Sequence, residues 1–218
     1  MDYWIVNCML EYKYKKSCVM KKVVLFVILD KYSDWEGAYL APFIVALGQG
    51  EYTVKTVSLT KDGVRSIGGF TALPDYTIES APTDFEGVVL VGGMSWRKEE
   101  ARQVMPLVRA ALDKGKVLGA ICDAAGFLGT MGVLNDVRHT GNDLNDLKQW
   151  AGDAYKGEEK YIMQHAVRDK NIVTANGTAA LEFAREVILA LGAVPESKIT
   201  EWYNFYKQGC YDVAMPSM

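Results

Sequence analysis

Three runs in this chain are apolar at nearly every position: VVLFVIL (Val23–Leu29), VVLV (Val88–Val91) and VLGAI (Val117–Ile121). A strand with one wet face alternates apolar and polar residues. A strand apolar throughout is covered on both sides, which is the condition of a parallel sheet. Parallel neighbours cannot be joined by tight hairpins and need crossover segments, usually helices. Helical spacing does lie between the runs. The pattern predicts helices over Trp35–Leu47, with Ser33 or Asp34 as cap, Glu99–Lys114, stopped by Gly115, and Ala124–Met131. It predicts further helices over Asp143–Trp150, Thr178–Leu191 and Glu196–Gln208. Further strands are expected at Tyr52–Leu59, Tyr161–Val167 and Asn171–Thr174, with a hairpin at Gly68-Gly69. With 218 residues, half of them hydrophobic, the chain suits one well-buried domain. The fold class is therefore α/β: one sandwich of helices around a mostly parallel sheet.

A net charge of −3 gives no footprint for nucleic acid or an anionic membrane surface, and no apolar run reaches a membrane span. Cys8, Cys18, Cys122 and Cys210 show no metal-ligand spacing and read as reduced, cytoplasmic thiols. Residues 1–19 differ in character from the rest of the chain, and MKKVVLFVILD from Met20 reads as the beginning of a domain. The expectation is an N-terminal extension at 1–19, disordered or a mis-set start, before one domain at 20–218 with a helical tail. The alternative is an extra edge strand or helix packed on the core.

VLGAICDAAGFLG (Val117–Gly129) carries the chemistry. A buried strand runs into Cys122 and a helix follows, the arrangement of a nucleophile elbow. Such a turn strains its middle residue and needs small neighbours, and Gly119, Ala120, Ala124, Ala125 and Gly126 supply them. Free N–H groups and the partial positive charge of the helix N-terminus would favour a thiolate. By itself the pattern serves an inert buried thiol equally well.

GAICDAAGFLGTMGVLND resembles the elbow segment of the ThiJ/PfpI (DJ-1/PfpI) superfamily, whose fold is shared with class I glutamine amidotransferases. MKKVVLFVILDKYSDWEGAYLAP, VVLVGGMSW, VRHTGN and NIVTANGTAALEFAREVILALG resemble other segments of it, in the same order. The likeness covers Met20 to Gly192 and is nearest to the branch described as intracellular proteases or amidotransferase-like proteins. It implies a three-layer α/β/α, flavodoxin-like sandwich. It implies Cys122 as nucleophile, Glu36 as the acidic residue on its sulfur, and the N–H groups of Gly93 and Asp123 as an oxyanion hole. Trp96 either walls the pocket or fills a crevice.

The chain departs from the family at the base. Asp123 stands where many relatives carry His after the cysteine, and Asn142 where others carry a His on the next strand. His139, three positions earlier, has the opposite parity. His139, Asn142 and Trp96 are kept as auxiliary candidates; His165 reads as a surface histidine. The implied function is a cysteine hydrolase or lyase acting on a small amide or reactive carbonyl compound, without metal or organic cofactor. The alternative is a stress-response redox sensor or chaperone using an oxidisable Cys122. Relatives imply a homodimer, and the aromatic tail (Trp202, Tyr203, Phe205, Tyr206) is a candidate contact.

Overall fold

The computed structural model describes residues 21–216; the extension expected at residues 1–19 lies outside them. The chain runs β1 (Lys22–Val27), α1 (Leu40–Leu47), β2 (Tyr52–Ser58), β3 (Val64–Arg65), β4 (Thr71–Ala72), β5 (Tyr76–Thr77) and β6 (Gly87–Leu90). It continues α2 (Met105–Asp113), β7 (Val117–Ile121), α3 (Asp123–Thr130), α4 (Leu144–Ala151), β8 (Ala166–Asp169), β9 (Ile172–Ala175), α5 (Ala180–Leu191) and α6 (Glu196–Gln208). One sheet has the order β5-β2-β1-β6-β7-β9-β8; all its pairs are parallel except β8–β9. β3 and β4 form a separate antiparallel hairpin around Gly68-Gly69.

The apolar strands divide their side chains between two cores. Leu25, Val27, Val88, Leu90, Leu118 and Ala120 pack with α2, α3 and α4 residues such as Val108, Phe127 and Leu147. Val24, Phe26, Val89, Val117 and Ile121 pack with Phe43 of α1 and Phe183 and Val187 of α5. Period-two alternation thus sends successive residues of one strand into opposite helical layers, which makes the molecule a three-layer α/β/α sandwich. In the tail, Trp202 and Tyr206 of α6 lie against Phe43 of α1, with ring centroids 5.7 and 5.0 Å from it.

Several elements differ from the sequence expectation. Residues 34–39 are turns, and α1 begins only at Leu40; Gly37 interrupts the expected first turn and opposes helix there. The stretch from Glu99 is a 3₁₀ segment as far as Val104, and the α-helix starts at Met105. Pro106 explains the boundary, because a residue without an N–H sits best in a helix's first turn. The strand expected from Tyr161 begins at Ala166; Tyr161 itself makes one isolated bridge, to His139. No helix among the described residues is long and apolar enough to cross a membrane.

Candidate active site

The carboxyl ends of parallel strands leave a crevice where neighbouring connections depart in opposite directions. Here β1 leads to β2 on one side while β6 lies on the other. A cavity of about 860 Å³ opens at that point. The loop after β1 brings Ser33, Trp35 and Glu36; the segment after β6 brings Gly93, Met94 and Arg97; β7 ends in Cys122; the turn after β9 adds Asn176, Gly177 and Thr178.

Cys122 caps α3 with φ 61° and ψ −134°. A non-glycine residue with positive φ is strained, and strain of this kind collects at functional sites. The turn aims the half-buried sulfur into the cavity, with the Asp123 N–H directed at it.

Beneath the sulfur lies Glu36, fully buried. The Cys122 thiol, the Ser33 hydroxyl and the Gly92 N–H face its carboxyl group. None of them reaches either oxygen with full hydrogen-bond geometry. Two glycines make this packing feasible. A β-carbon on Gly92 would collide with Glu36 Oε2 and stand 2.6 Å from Cys122 Cβ. One on Gly177 would stand 2.9 Å from Cys122 Sγ and 3.1 Å from Glu36 Oε1. Burial pushes the Glu36 carboxyl up to about 7. Burial, then the Glu36 charge, pushes the Cys122 thiol up to about 11, while Asn142 and the Asp123 N–H pull it down. The two groups titrate as a pair, and the first proton leaves near neutral pH.

Asn142 faces the sulfur from the segment before α4. Its Oδ1 accepts from the Gly177 N–H at 2.9 Å, which fixes the amide orientation. Its Nδ2 then donates to Cys122 Sγ at 3.3 Å and to Asp123 Oδ1 at 3.5 Å. An amide can steady negative charge on sulfur but cannot carry a proton away. His139 points elsewhere. Its ring is fully buried, with Nδ1 2.8 Å from the Val137 carbonyl and Nε2 2.7 Å from the Tyr155 hydroxyl. Trp96 faces the core as well: it is buried on Phe127 and donates to the Val91 carbonyl at 2.8 Å. Of the two roles weighed for Trp96, it fills the interior. His165 lines a different, polar groove beside α5 and α6.

Gly93 lines the cavity and bridges Tyr32. The bridge uses the Ser33 N–H to Gly92 O and the Met94 N–H to Lys31 O, so the Gly93 N–H is not consumed by it. Arg97 is the residue that sequence reasoning passed over. Its Nε and Nη2 bind Asp123 at 2.8 and 3.3 Å, and Nη1 and Nη2 bind Asp146 at 3.1 and 2.5 Å. Its guanidinium also lies 4.6 Å from the Trp150 ring centre. The carboxylate next to the sulfur is thereby neutralised. Arg97 follows Gly92-Gly93 closely enough to be placed on the crevice rim, but Asp146 lies 49 residues further on and only tertiary structure brings it there. Trp35, Ile67 and Met94, also on the rim, carried no motif signal.

Such a molecule is an α/β/α sandwich with a strained cysteine at the elbow over a buried acid. The chain belongs to the DJ-1/PfpI family, whose profile matches residues 21–190. It is similar to the Bacillus subtilis protein named uncharacterized protease YdeA, with 44% identity over 88% of this chain and 94% of the relative. It is also similar to the uncharacterized protease YoaZ of that organism, at 35% over 86% of this chain and 91% of the relative. Among solved structures, a DJ-1 superfamily protein of Agrobacterium tumefaciens is 33% identical, with a TM-score of 0.77 over 86% of this chain and 98% of the other. A thiJ/pfpI family protein of Bacillus anthracis is also 33% identical, with a TM-score of 0.78 over 86% and 90%.

Proposed function

We propose that this chain is a cysteine-dependent hydrolase or lyase acting on a small amide or reactive carbonyl compound, with Cys122 as nucleophile and Glu36 as its proton partner. One observation carries the reading: a fully buried carboxyl group without a good hydrogen-bond partner, packed against the sulfur at the base of an open cavity. A buried, unpaired acid is costly and is retained where chemistry uses it.

With the pair singly protonated, the proton resides mainly on sulfur and Glu36 is ionised, because the acid titrates below the thiol. As a carbonyl carbon approaches, the thiol proton passes to Glu36 and the S–C bond forms. The carbonyl π pair moves onto oxygen, toward the N–H groups of Gly93 and Asp123. With an amide, protonated Glu36 then gives its proton to the departing amine as the C–N bond breaks, leaving a thioester. Water then adds to the thioester carbonyl as Glu36 accepts its proton, the C–S bond breaks to give the acid, and the proton returns from Glu36 to the sulfur. With a reactive carbonyl, the thiohemiacetal is the first product. The missing histidine is consistent with this scheme, since one acid performs each proton transfer.

The test is the pH dependence of Cys122 alkylation, read by peptide mass spectrometry in wild type and Glu36→Gln, with turnover then measured on amide and carbonyl panels. Alkylation should rise through about pH 7, with Glu36, and Glu36→Gln should move that rise toward the free-thiol range. Product formation should be abolished by Cys122→Ala. A Cys122 that oxidises under peroxide but turns over no substrate would favour the redox-sensor alternative.

A further inference from the structure

The cavity contains one cation among the described residues that line it, Arg97, and that cation is fully engaged. Two carboxylates hold its fork from two sides, and one of its faces lies on Trp150. With Asp123 and Asp146 counted, the cluster carries one excess negative charge. Glu36, titrating near 7, adds to it. An incoming carboxylate would find no unpaired cation in this lining and would meet like charge.

The other side of the opening is apolar. Trp35, Ile67 and Met94 line it and remain 49, 42 and 67% exposed. The Trp35 indole N–H donates to the Gly177 carbonyl at 3.0 Å, which fixes the ring and leaves its face without a polar duty. The remaining polar side chains of the lining, Ser33, Asn142, Asn176 and Thr178, are neutral; Asn142 Oδ1 accepts from the Gly177 N–H, and Asn176 Oδ1 from the Thr178 N–H and hydroxyl.

Resting on the reading of Cys122 as nucleophile, we infer that this site takes an uncharged compound with an apolar or aromatic arm beside its reacting carbon, and turns away compounds with a carboxylate there. Trp35 is the stacking wall for that arm. Arg97 is a specificity element by being occupied: it offers the substrate no charge.

Three alkylating probes of one leaving group test this: iodoacetamide, iodoacetate and N-phenyl iodoacetamide. Each rate at the Cys122 peptide of the full-length protein is divided by the rate of the same probe with N-acetylcysteine. The normalised iodoacetate rate should fall below that of iodoacetamide by about tenfold and recover as salt is raised, because like-charge repulsion is screened. The phenyl probe should exceed iodoacetamide, and Trp35→Ala should cost the phenyl probe more than the amide. Iodoacetate reacting as well as the amide, or a phenyl advantage that Trp35→Ala leaves intact, overturns the inference. A Cys122 that reacts with none of the three faster than exposed Cys210 overturns the nucleophile reading and the inference with it.

Discussion

Glu36 and His139 are both titratable and both fully buried, yet the protein treats them oppositely. His139 is satisfied at each nitrogen. A carbonyl can only accept, so Nδ1 carries the hydrogen toward Val137, and Nε2 accepts from Tyr155. Tyr155 and Tyr161 also meet the ring edge-on at 5.5 and 5.6 Å. Glu36 has no well-formed hydrogen bond at either oxygen. Burial shifts both groups toward their neutral forms, lowering His139 and raising Glu36. The difference is that one neutral form is bonded into the scaffold and the other stands beside a nucleophile. Burial alone does not mark a site; burial without partners, beside a nucleophile and an open cavity, is the combination that sets Glu36 apart.

Glu36→Gln should produce the largest effect and drive the two regions furthest apart. Losing the proton partner of Cys122 is expected to lower turnover by about 10²–10⁴-fold. The same substitution should stabilise the fold. Glu36 has a folded value raised to about 7 from 4.5, so its contribution is fully present below pH 4.5 and is lost as pH rises through 7. That loss amounts to about 3 kcal/mol at about 1.4 kcal/mol per unit. A neutral glutamine escapes it, so Glu36→Gln should gain up to about 3 kcal/mol at pH 8 and little near pH 4.5. Urea unfolding at the two pH values checks this. Equal stability changes at both would mean that the acid is not held neutral.

His139→Ala should do the reverse. It leaves the Val137 carbonyl and the Tyr155 hydroxyl unpaired and opens a void, at a cost of about 2–4 kcal/mol. The alkylation profile of Cys122 should stay in place, since the ring nitrogens are bonded to Val137 and Tyr155 instead of the sulfur. The pH sign is opposite as well. A histidine lowered on folding contributes stability that is present above its unfolded value and lost as pH falls through the folded one. The variant should therefore lose its deficit relative to wild type on the acid side. A shifted alkylation profile would return His139 to the candidate site.

The sandwich, the elbow and Glu36 were legible in the sequence because each leaves a local trace: runs apolar on both faces, small residues around a cysteine, an acid at a matching position. Parity sets Asn142 apart from His139, and the structure turns the Asn142 amide to the sulfur and the His139 ring to Val137 and Tyr155. Parity does not separate Trp96 from Arg97. Those neighbours lie in an irregular turn where no period applies, and the larger aromatic is taken into the core. The polar network around Arg97 could not be read at all, because its carboxylates come from the residue after Cys122 and from α4. Sequence patterns report local geometry well and long-range charge pairing poorly.

Gly92→Ala probes the same boundary on the backbone. Its β-carbon would collide with the Glu36 carboxylate and stand 2.6 Å from both Cys122 Cβ and the Ile121 carbonyl oxygen, so the acid and the elbow must part. Overpacking costs about 1–3 kcal/mol, and alkylation near pH 7 should fall as in Glu36→Gln. A variant that lost stability but kept the wild-type profile would show that Glu36 need not touch the thiol.

Arg97→Met is the smallest and sharpest case, because it leaves both buried groups intact; it removes the charge beside Asp123 and also releases Asp146 and Trp150. Without the guanidinium, Asp123 becomes an uncompensated anion adjacent to Cys122. It should raise the pH at which the Glu36–Cys122 pair gives up its first proton, by about one unit, or about 1.4 kcal/mol. Arg97→Met with Asp123→Asn removes the anion as well and should bring the profile back. Asp146→Asn keeps Arg97 on Asp123 but unfastens α4, so it should lower the melting temperature and leave the profile unmoved. If Arg97 only stapled α4 to the loop, Asp146→Asn and Arg97→Met would behave alike and the double variant would not recover. A role through charge requires that they part. His139, bonded to Val137 and Tyr155 and not to this network, should keep its contribution to stability in all three variants.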